Sequence, residues 1–505
     1  MKRLICYITI GLLFFSSQSQ NLKKLDQYIE KARVDWDVPG MAVAIVKDGE
    51  IVHAKGYGIK ETGADEKVDE NTLFAIASNT KAFVSSSLAN LVAEGSLSWD
   101  DKVIEHLPYF ELYDHYATQE ATVRDLLCHR LGLGTFSGDV IWYKSNQSAE
   151  EVIKRIKYVP QAYGFRNGYG YSNLMFITAG EVIKVASGKS WSDYVKDSFF
   201  KPLGMTRTIT STNDLESVGN TASPHKYIDG QQTPISWTNW DNMGAAGGII
   251  SSVKDMSQWM IMNLNNGLWQ NDTLLDPIQQ NILWTPHNNY VISESGKKWL
   301  PSRNFSAYGL GWGLYDYYGR KVVNHSGGYD GMYSRVVLVP SENLGIVILT
   351  NAMENISSPL AYQIMDAYLG KSGTDWSEKY LKNRNREAMN EMAQRRISKR
   401  REGTSPSLSP MHYRGNYYDP MYGNISINFS KDKLYLRFED APELSASLSH
   451  WHDNTYEIKW DNTHAWFGFG TIQFVLDNNQ NIAGIEFDVP NYDIFFDEIH
   501  AKRVE

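Results

Sequence analysis

Two paired runs of alternating apolar residues, far apart in the chain, set the strongest limit on its fold. The first, "MAVAIVKDGEIVHAKGYG" from Met41 to Gly58, breaks at Asp48-Gly49. Asp-Gly between such runs specifies a hairpin, because the tight turn needs positive φ at its central residues. The second, "RVVLVPSENLGIVILTN" from Arg335 to Asn351, has the same character. Helical spacing over Leu22–Trp36 precedes the first pair, and over Leu360–Leu369 follows the second. Joining both hairpins in one antiparallel sheet backed by helices buries all these apolar faces together.

At 505 residues the chain has room for two to four domains of roughly 100–200 residues each. With 42% hydrophobic and 21% charged residues it is globular rather than disordered. A net charge of −9 excludes nucleic acid as the main partner, since no basic excess exists to neutralise phosphates.

Residues 1–20 have the pattern of an export signal: Lys2 and Arg3, an apolar stretch from Leu4 to Phe15, then Ser17-Gln18-Ser19 as a small-x-small cleavage site. The predicted location is secreted or periplasmic. No later segment reaches the roughly 18 apolar residues of a membrane span, so stable membrane insertion is not expected. Cys6 falls inside the signal, which leaves Cys128 alone and no internal disulfide. "VRDLLCHRLGLG" has the pattern of a helix end with a glycine stop, predicting a packed, inert thiol at Cys128.

Between Glu378 and Glu402 stand nine basic residues and four acidic ones, followed by the break "EGTSPSLSP". This pattern predicts a solvated linker helix. From Met411 onward, short alternating runs such as "GNISINFS", "KLYLRF" and "TYEIKW" predict a small antiparallel β-domain. The expected boundaries are 1–20 for the signal, 21–370 for the main domain, 371–410 for the charged linker helix and 411–505 for the β-domain.

Chemistry concentrates at "TLFAIASNTKAFVSSSLANLVAEG", Thr72 to Gly95, where a β-prone run gives way to a helix. Ser78 and Lys81 fall on one face at that helix's N-terminus. A serine hydroxyl is a poor nucleophile until a base takes its proton, and a partly desolvated amine can do so. Ser-x-x-Lys occurs six times, starting at Ser78, Ser198, Ser223, Ser251, Ser295 and Ser430. Only the first lies at such a strand-to-helix junction. "NGYGYSNLMFITAGEVI" adds a Tyr-x-Asn turn, Tyr171-Ser172-Asn173, leading into an apolar helix. "NHSGGYDGMYSRVVLV" places His325, Ser326, Gly327 and Gly328 ahead of a strand, where small residues let a ligand approach the backbone closely.

Ser-x-x-Lys, then Tyr-x-Asn, then a basic-x-Gly strand edge, in this order, resembles the serine β-lactamase and penicillin-binding-protein superfamily. More narrowly the chain resembles the class C β-lactamase-related branch of esterases, D-aminopeptidases and D,D-peptidases. The resemblance runs from about Leu22 to Gly370. It extends to Val38-Pro39-Gly40, "LLCHRLGL", "KPLGM", "AAGGIISS" and "YGLGWG". It implies an α+β fold: a β-lactamase/transpeptidase-like α/β sandwich with an antiparallel sheet, and a C-terminal all-β, barrel-like domain of the kind often appended to such hydrolases.

Carried over by residue, the resemblance implies that Ser78 forms an acyl-enzyme and that Lys81 and Tyr171 share proton transfer, Tyr171 acting toward the leaving group. Asn173 would bind Lys81 and a substrate amide, and the N–H groups of Ser78 and Gly328 would form the oxyanion hole. No cofactor or metal is implied; the partner is a small-molecule or peptide substrate, and oligomeric state is left open. The pattern departs at His325, where lactam-active relatives usually carry lysine. A mostly neutral histidine there favours substrates without a carboxylate, hence esters or amides, D-amino-acid-containing peptides among them. Two rivals remain: β-lactamase or D,D-carboxypeptidase action on the same scaffold, and a non-catalytic ligand sensor. Gly-x-Ser-x-Gly and His-Glu-x-x-His are both missing from the sequence.

Overall fold

The computed structural model describes residues 22–430 and 432–504, so the export signal expected over residues 1–20 lies outside the described residues. Both hairpins do join one sheet. Its strands are β1 (Gly40–Lys47), β2 (Glu50–Gly58), β3 (Asn288–Asn289), β4 (Ser306–Tyr308), β5 (Gly313–Tyr317), β6 (Arg320–Tyr329), β7 (Met332–Val339) and β8 (Leu344–Thr350), in the order β2-β1-β8-β7-β6-β5-β4-β3. The first hairpin meets the last through β1 and β8, with Val43 opposite Ile348 and Ala44 opposite Val347. Asp48 and Gly49 take φ of 55° and 82°, as the turn between β1 and β2 requires.

β1 and β8 are buried on both faces, which explains their unbroken apolar character. One face, with Met41, Val43, Ile45, Val337 and Ile348, packs on residues from the helix over 22–35 (α1) and from a second helix late in the domain. The other face, with Ala42, Ala44, Val336 and Leu349, packs on the helical layer. That layer contains α2 (Thr80–Ala93), α3 (Asn173–Ser187) and α4 (Val253–Leu264); the late helix on the first face is α5 (Ser357–Tyr368). α2 is apolar almost all round and buried over most of its length, and Lys81 is its one charged residue.

The sheet leaves one gap that positions the site. β5 pairs with β6 only from Tyr317–Arg320 to Gly313–Asn324, whereas β7 follows β6 to Tyr329. Residues 325–329 therefore have no strand partner on the β5 side, and this edge faces the turn before α2.

The charged segment differs from the expected single solvated helix. It forms two helices, α6 (Trp376–Leu381) and α7 (Ala388–Ile397). The arginines between them are docked on the main domain: Arg384 and Arg386 both pair with Glu354, and Arg386 stacks 4.1 Å from the Tyr227 ring centroid. A run of charges reports composition only, so distant carboxylate partners were not visible in it.

The C-terminal region is a closed eight-stranded antiparallel barrel. Its strands are β9 (Gly415–Asp419), β10 (Gly423–Ser430), β11 (Lys433–Phe438), β12 (Ser445–His452), β13 (Thr455–Trp460), β14 (Thr471–Leu476), β15 (Ile482–Asp488) and β16 (His500–Val504). β9 closes on β16, with Tyr417 opposite Arg503. The barrel is fastened beside the site: Glu498 accepts hydrogen bonds from the Gly138 N–H (2.7 Å) and the Ser137 hydroxyl, and Lys226 donates to the Phe467 carbonyl (2.8 Å).

Candidate active site

Ser78 lies on the short 3₁₀ turn Ala77–Asn79 that runs into α2. Ala77, just before it, has φ of 47°, an unusual conformation for a residue with a β-carbon. The turn is held by Ser334 of β7, whose hydroxyl donates to the Ile76 carbonyl (2.6 Å) and accepts from Asn79 Nδ2 (2.8 Å). Gly327 packs against the same turn. A β-carbon there would stand 2.3 Å from the Ile76 oxygen and 2.9 Å from Ala77 Cβ. Its small size thus admits the nucleophile's own backbone, and Gly327 is not among the residues lining the cavity above.

Lys81 is fully buried, one turn along. Its Nζ lies 2.9 Å from Ser78 Oγ, 2.7 Å from Asn173 Oδ1 and 2.8 Å from the Ala246 carbonyl. Burial pulls its pKa down from the ordinary lysine value to about 7, with partial opposition from the Asp139 charge. Among the described residues, no other of the six Ser-x-x-Lys pairs is joined by a side-chain hydrogen bond.

Asn173 opens α3, and its amide is fixed at both ends: Oδ1 accepts from Lys81 while Nδ2 donates to Asp139 Oδ2 (2.7 Å). Asp139 also accepts from Trp142 Nε1 (2.9 Å), and burial pushes its pKa up to about 8. This buried carboxyl escaped the sequence reading. The only trace it leaves there is an acidic residue set against the apolar run Val140–Tyr143.

Tyr171 sits beside this group. Its ring centroid is 4.8 Å from Lys81 Nζ and 4.3 Å from the His129 ring. Burial raises the phenol's pKa well above its usual value, and the neighbouring Ser78 hydroxyl partly offsets this. His129 Nδ1 accepts from the Ser172 N–H (3.1 Å), which links the "LLCHRLGL" segment to the Tyr-x-Asn turn. His325 is committed on both ring nitrogens: Nε2 meets the Tyr308 hydroxyl at 2.7 Å and Nδ1 meets the Ser326 carbonyl at 2.6 Å. Desolvation, with the nearby Lys81 charge, lowers its pKa to about 3 and keeps it neutral.

Ser78, Tyr171, Asn173, His325, Ser326 and Gly328 line one cavity of about 580 Å3, with Lys81 beneath its floor. Trp466 and Asp493 of the barrel domain form part of the wall, and no pattern in the sequence pointed to them. Cys128 takes no part; it is buried, and desolvation pushes its thiol up to about 12. No group of three or more metal-ligating side chains occurs among the described residues.

Residues 25–368 match the family model described as Beta-lactamase. The chain belongs to the beta-lactamase family. Within it the chain is a serine hydrolase of the β-lactamase-like α/β fold. Residues 399–503 match a second model, described as Domain of unknown function (DUF3471). Family relatives include the unguisins hydrolase ungD' of Aspergillus campestris, 29% identical over 437 residues, which covers 80% of this chain and 78% of that protein. Protein flp of Staphylococcus aureus (strain MRSA252) is 29% identical over 338 residues, covering 65% of this chain and 62% of that protein. Among solved structures, the octameric penicillin-binding protein homologue from Pyrococcus abyssi superposes with a TM-score of 0.62 at 20% identity, over 95% of this chain and all of that one. At that identity the likeness speaks to the fold.

Proposed function

We propose that the protein hydrolyses esters or amides through an acyl-enzyme on Ser78, with Lys81 as the base and Tyr171 as the proton donor to the leaving group. The observation that carries this reading is the setting of the Lys81 amine. A neutral amine has two N–H bonds and one lone pair. Asn173 and the Ala246 carbonyl take the two N–H bonds, which leaves the lone pair for the Ser78 hydroxyl at 2.9 Å. A pKa near 7 populates that neutral form at ordinary pH.

Ser78 Oγ then attacks the substrate carbonyl carbon as its proton passes to Lys81. The tetrahedral oxyanion is received by the N–H groups of Ser78 and Gly328. Tyr171, kept as a phenol by burial, gives its proton to the departing alkoxide or amine and is reprotonated from Lys81. Water repeats the sequence on the ester to release the acid and free Ser78. The neutral, tethered His325 supplies no cation of its own, although Arg303 and Arg335 line the same cavity. The preference for esters and neutral amides over β-lactams rests on position 325 alone. The name of the Aspergillus relative, a hydrolase of unguisins, is in keeping with an amide or ester target. The basic-apolar-small pattern of residues 1–20 supports export of the mature chain.

A fluorophosphonate probe should add one adduct to the protein and none to Ser78→Ala, as read by intact mass. Turnover should then be found with p-nitrophenyl esters or D-amino-acid amides and be much weaker with nitrocefin. An undiminished adduct on Ser78→Ala would overturn the assignment.

A further inference from the structure

Behind the wall made by Tyr333, Trp466 and Asp493 lies a second cavity, of about 660 Å3. These three residues line both cavities, so the two chambers share one partition. Trp466 also reaches the reaction centre, because a β-carbon on Gly328 would stand 3.2 Å from its Cη2. The second chamber is built by three parts of the chain: Trp36, Gln232 and Trp299 of the main domain, Met389 of α7, and Phe469 and Tyr492 of the barrel domain.

The lining specifies what fits. Aromatic rings and two methionines supply apolar surface, while the cations at its edge are already engaged, Arg384 by Glu354, Arg386 by Glu354 and Asp37, and Lys226 by the Phe467 carbonyl. Gln232 is 5% exposed, yet its Oε1 has no hydrogen-bond partner. An acceptor buried without a donor is costly, and turning this side chain toward the chamber would let an N–H of a bound chain satisfy it. Apolar walls with an orphan amide acceptor match a peptide chain carrying large apolar side chains. The volume falls within the range of roughly 300–1,000 Å3 typical of ligand sites.

Direction follows from the placement of the partition. Tyr171 serves the leaving group. Trp466 of the partition stands beside Gly328 of the oxyanion site, so an acyl flank running past Gly328 would meet the second chamber at Trp466. We propose that this second chamber receives the acyl-side residues of an oligopeptide substrate whose scissile carbonyl sits at Ser78. The proposal rests on the acyl-enzyme reading above and gives the barrel domain a task, that of dividing and roofing the two chambers.

The test compares p-nitrophenyl acetate with the p-nitrophenyl ester of an N-acetylated, phenylalanine-rich hexapeptide. Ala393→Trp, on α7, fills the chamber, and Gln232→Ala removes the orphan acceptor. In Ala393→Trp, kcat/KM for the hexapeptidyl ester should fall by about tenfold or more, while that for the acetate stays within about twofold. Gln232→Ala should show the same selectivity to a smaller extent, guarding against misfolding of the bulkier variant. Equal loss on both esters, or loss on neither, would overturn the proposal. Quenching of tryptophan fluorescence by the corresponding hexapeptide amide provides a readout independent of turnover, since Trp299 and Trp466 line the chamber. Saturable quenching in the parent that weakens about tenfold in Ala393→Trp supports the chamber even where neither ester is cleaved, a result that would remove only the catalytic reading. Equal quenching in parent and variant counts against the chamber.

Discussion

Lys81 Nζ and Ser78 Oγ stand 2.9 Å apart at the start of one buried helix, and the amine's other two contacts are both acceptors. Ester hydrolysis should therefore need the neutral amine. kcat/KM is expected to rise with pH through a single ionisation near 7, the pKa that burial gives Lys81. Lys81→Ala should lower kcat/KM by roughly 10²–10⁴-fold. Lys81→Arg should be at least as damaging, because a guanidinium does not lose its proton in this range. A flat pH profile from 5 to 9, measured with p-nitrophenyl acetate, would contradict the assignment.

Asp139 tunes that ionisation through Asn173. In its ionised form it raises the Lys81 pKa against the pull of burial, and because burial holds its own carboxyl up to about 8 the two groups titrate as a coupled pair. Asp139→Asn removes the charge while keeping an acceptor, so the Lys81 pKa should fall further. The rising limb of the pH–rate profile should then move to lower pH. Movement to higher pH, or no movement with activity intact, would show that Asp139 does not act on Lys81.

His325→Lys would put a second amine where a neutral ring now sits in the field of Lys81. Substrate preference is expected to shift toward carboxylate-bearing substrates, seen as a higher ratio of nitrocefin to p-nitrophenyl acetate turnover. Thermal stability should drop, since the Tyr308 hydroxyl and the Ser326 carbonyl lose the partners fitted to them. An unchanged ratio would mean that position 325 does not select substrates.

Gly327→Ala tests the fit of β6 to the nucleophile turn. A methyl group would lie 2.3 Å from the Ile76 oxygen, a distance that backbone must yield to relieve. Fluorophosphonate labelling of Ser78 should slow by at least about tenfold, and the melting temperature should fall. Labelling at the parental rate would show that the turn tolerates displacement.

Local patterns carried much of this structure. The Asp48-Gly49 hairpin, the strand-to-helix step at Ser78 and the Tyr171–Asn173 segment depend on residues adjacent in sequence, so local pattern exposed them, and the family resemblance supplied the roles of Ser78 and Tyr171. Asp139 was hidden because its role depends on burial by distant elements, which no local pattern encodes. The docking of Arg384 and Arg386 on Glu354 escaped for the same reason. Trp466 and Asp493 looked like ordinary members of a β-region, and only the seating of one domain on the other brings them to the cavity.

The Glu498 grip on Ser137 and Gly138 has a structural consequence. Asp139 follows Gly138 directly, so a carboxylate on the barrel side buttresses the loop that feeds the lysine relay. Trimming the chain after α5 would take away a cavity wall and loosen a proton-handling loop in the same cut. Conversely, drift in the barrel loops at 464–469 and 490–498 can reshape the accepted acyl group while every proton-carrying atom stays put.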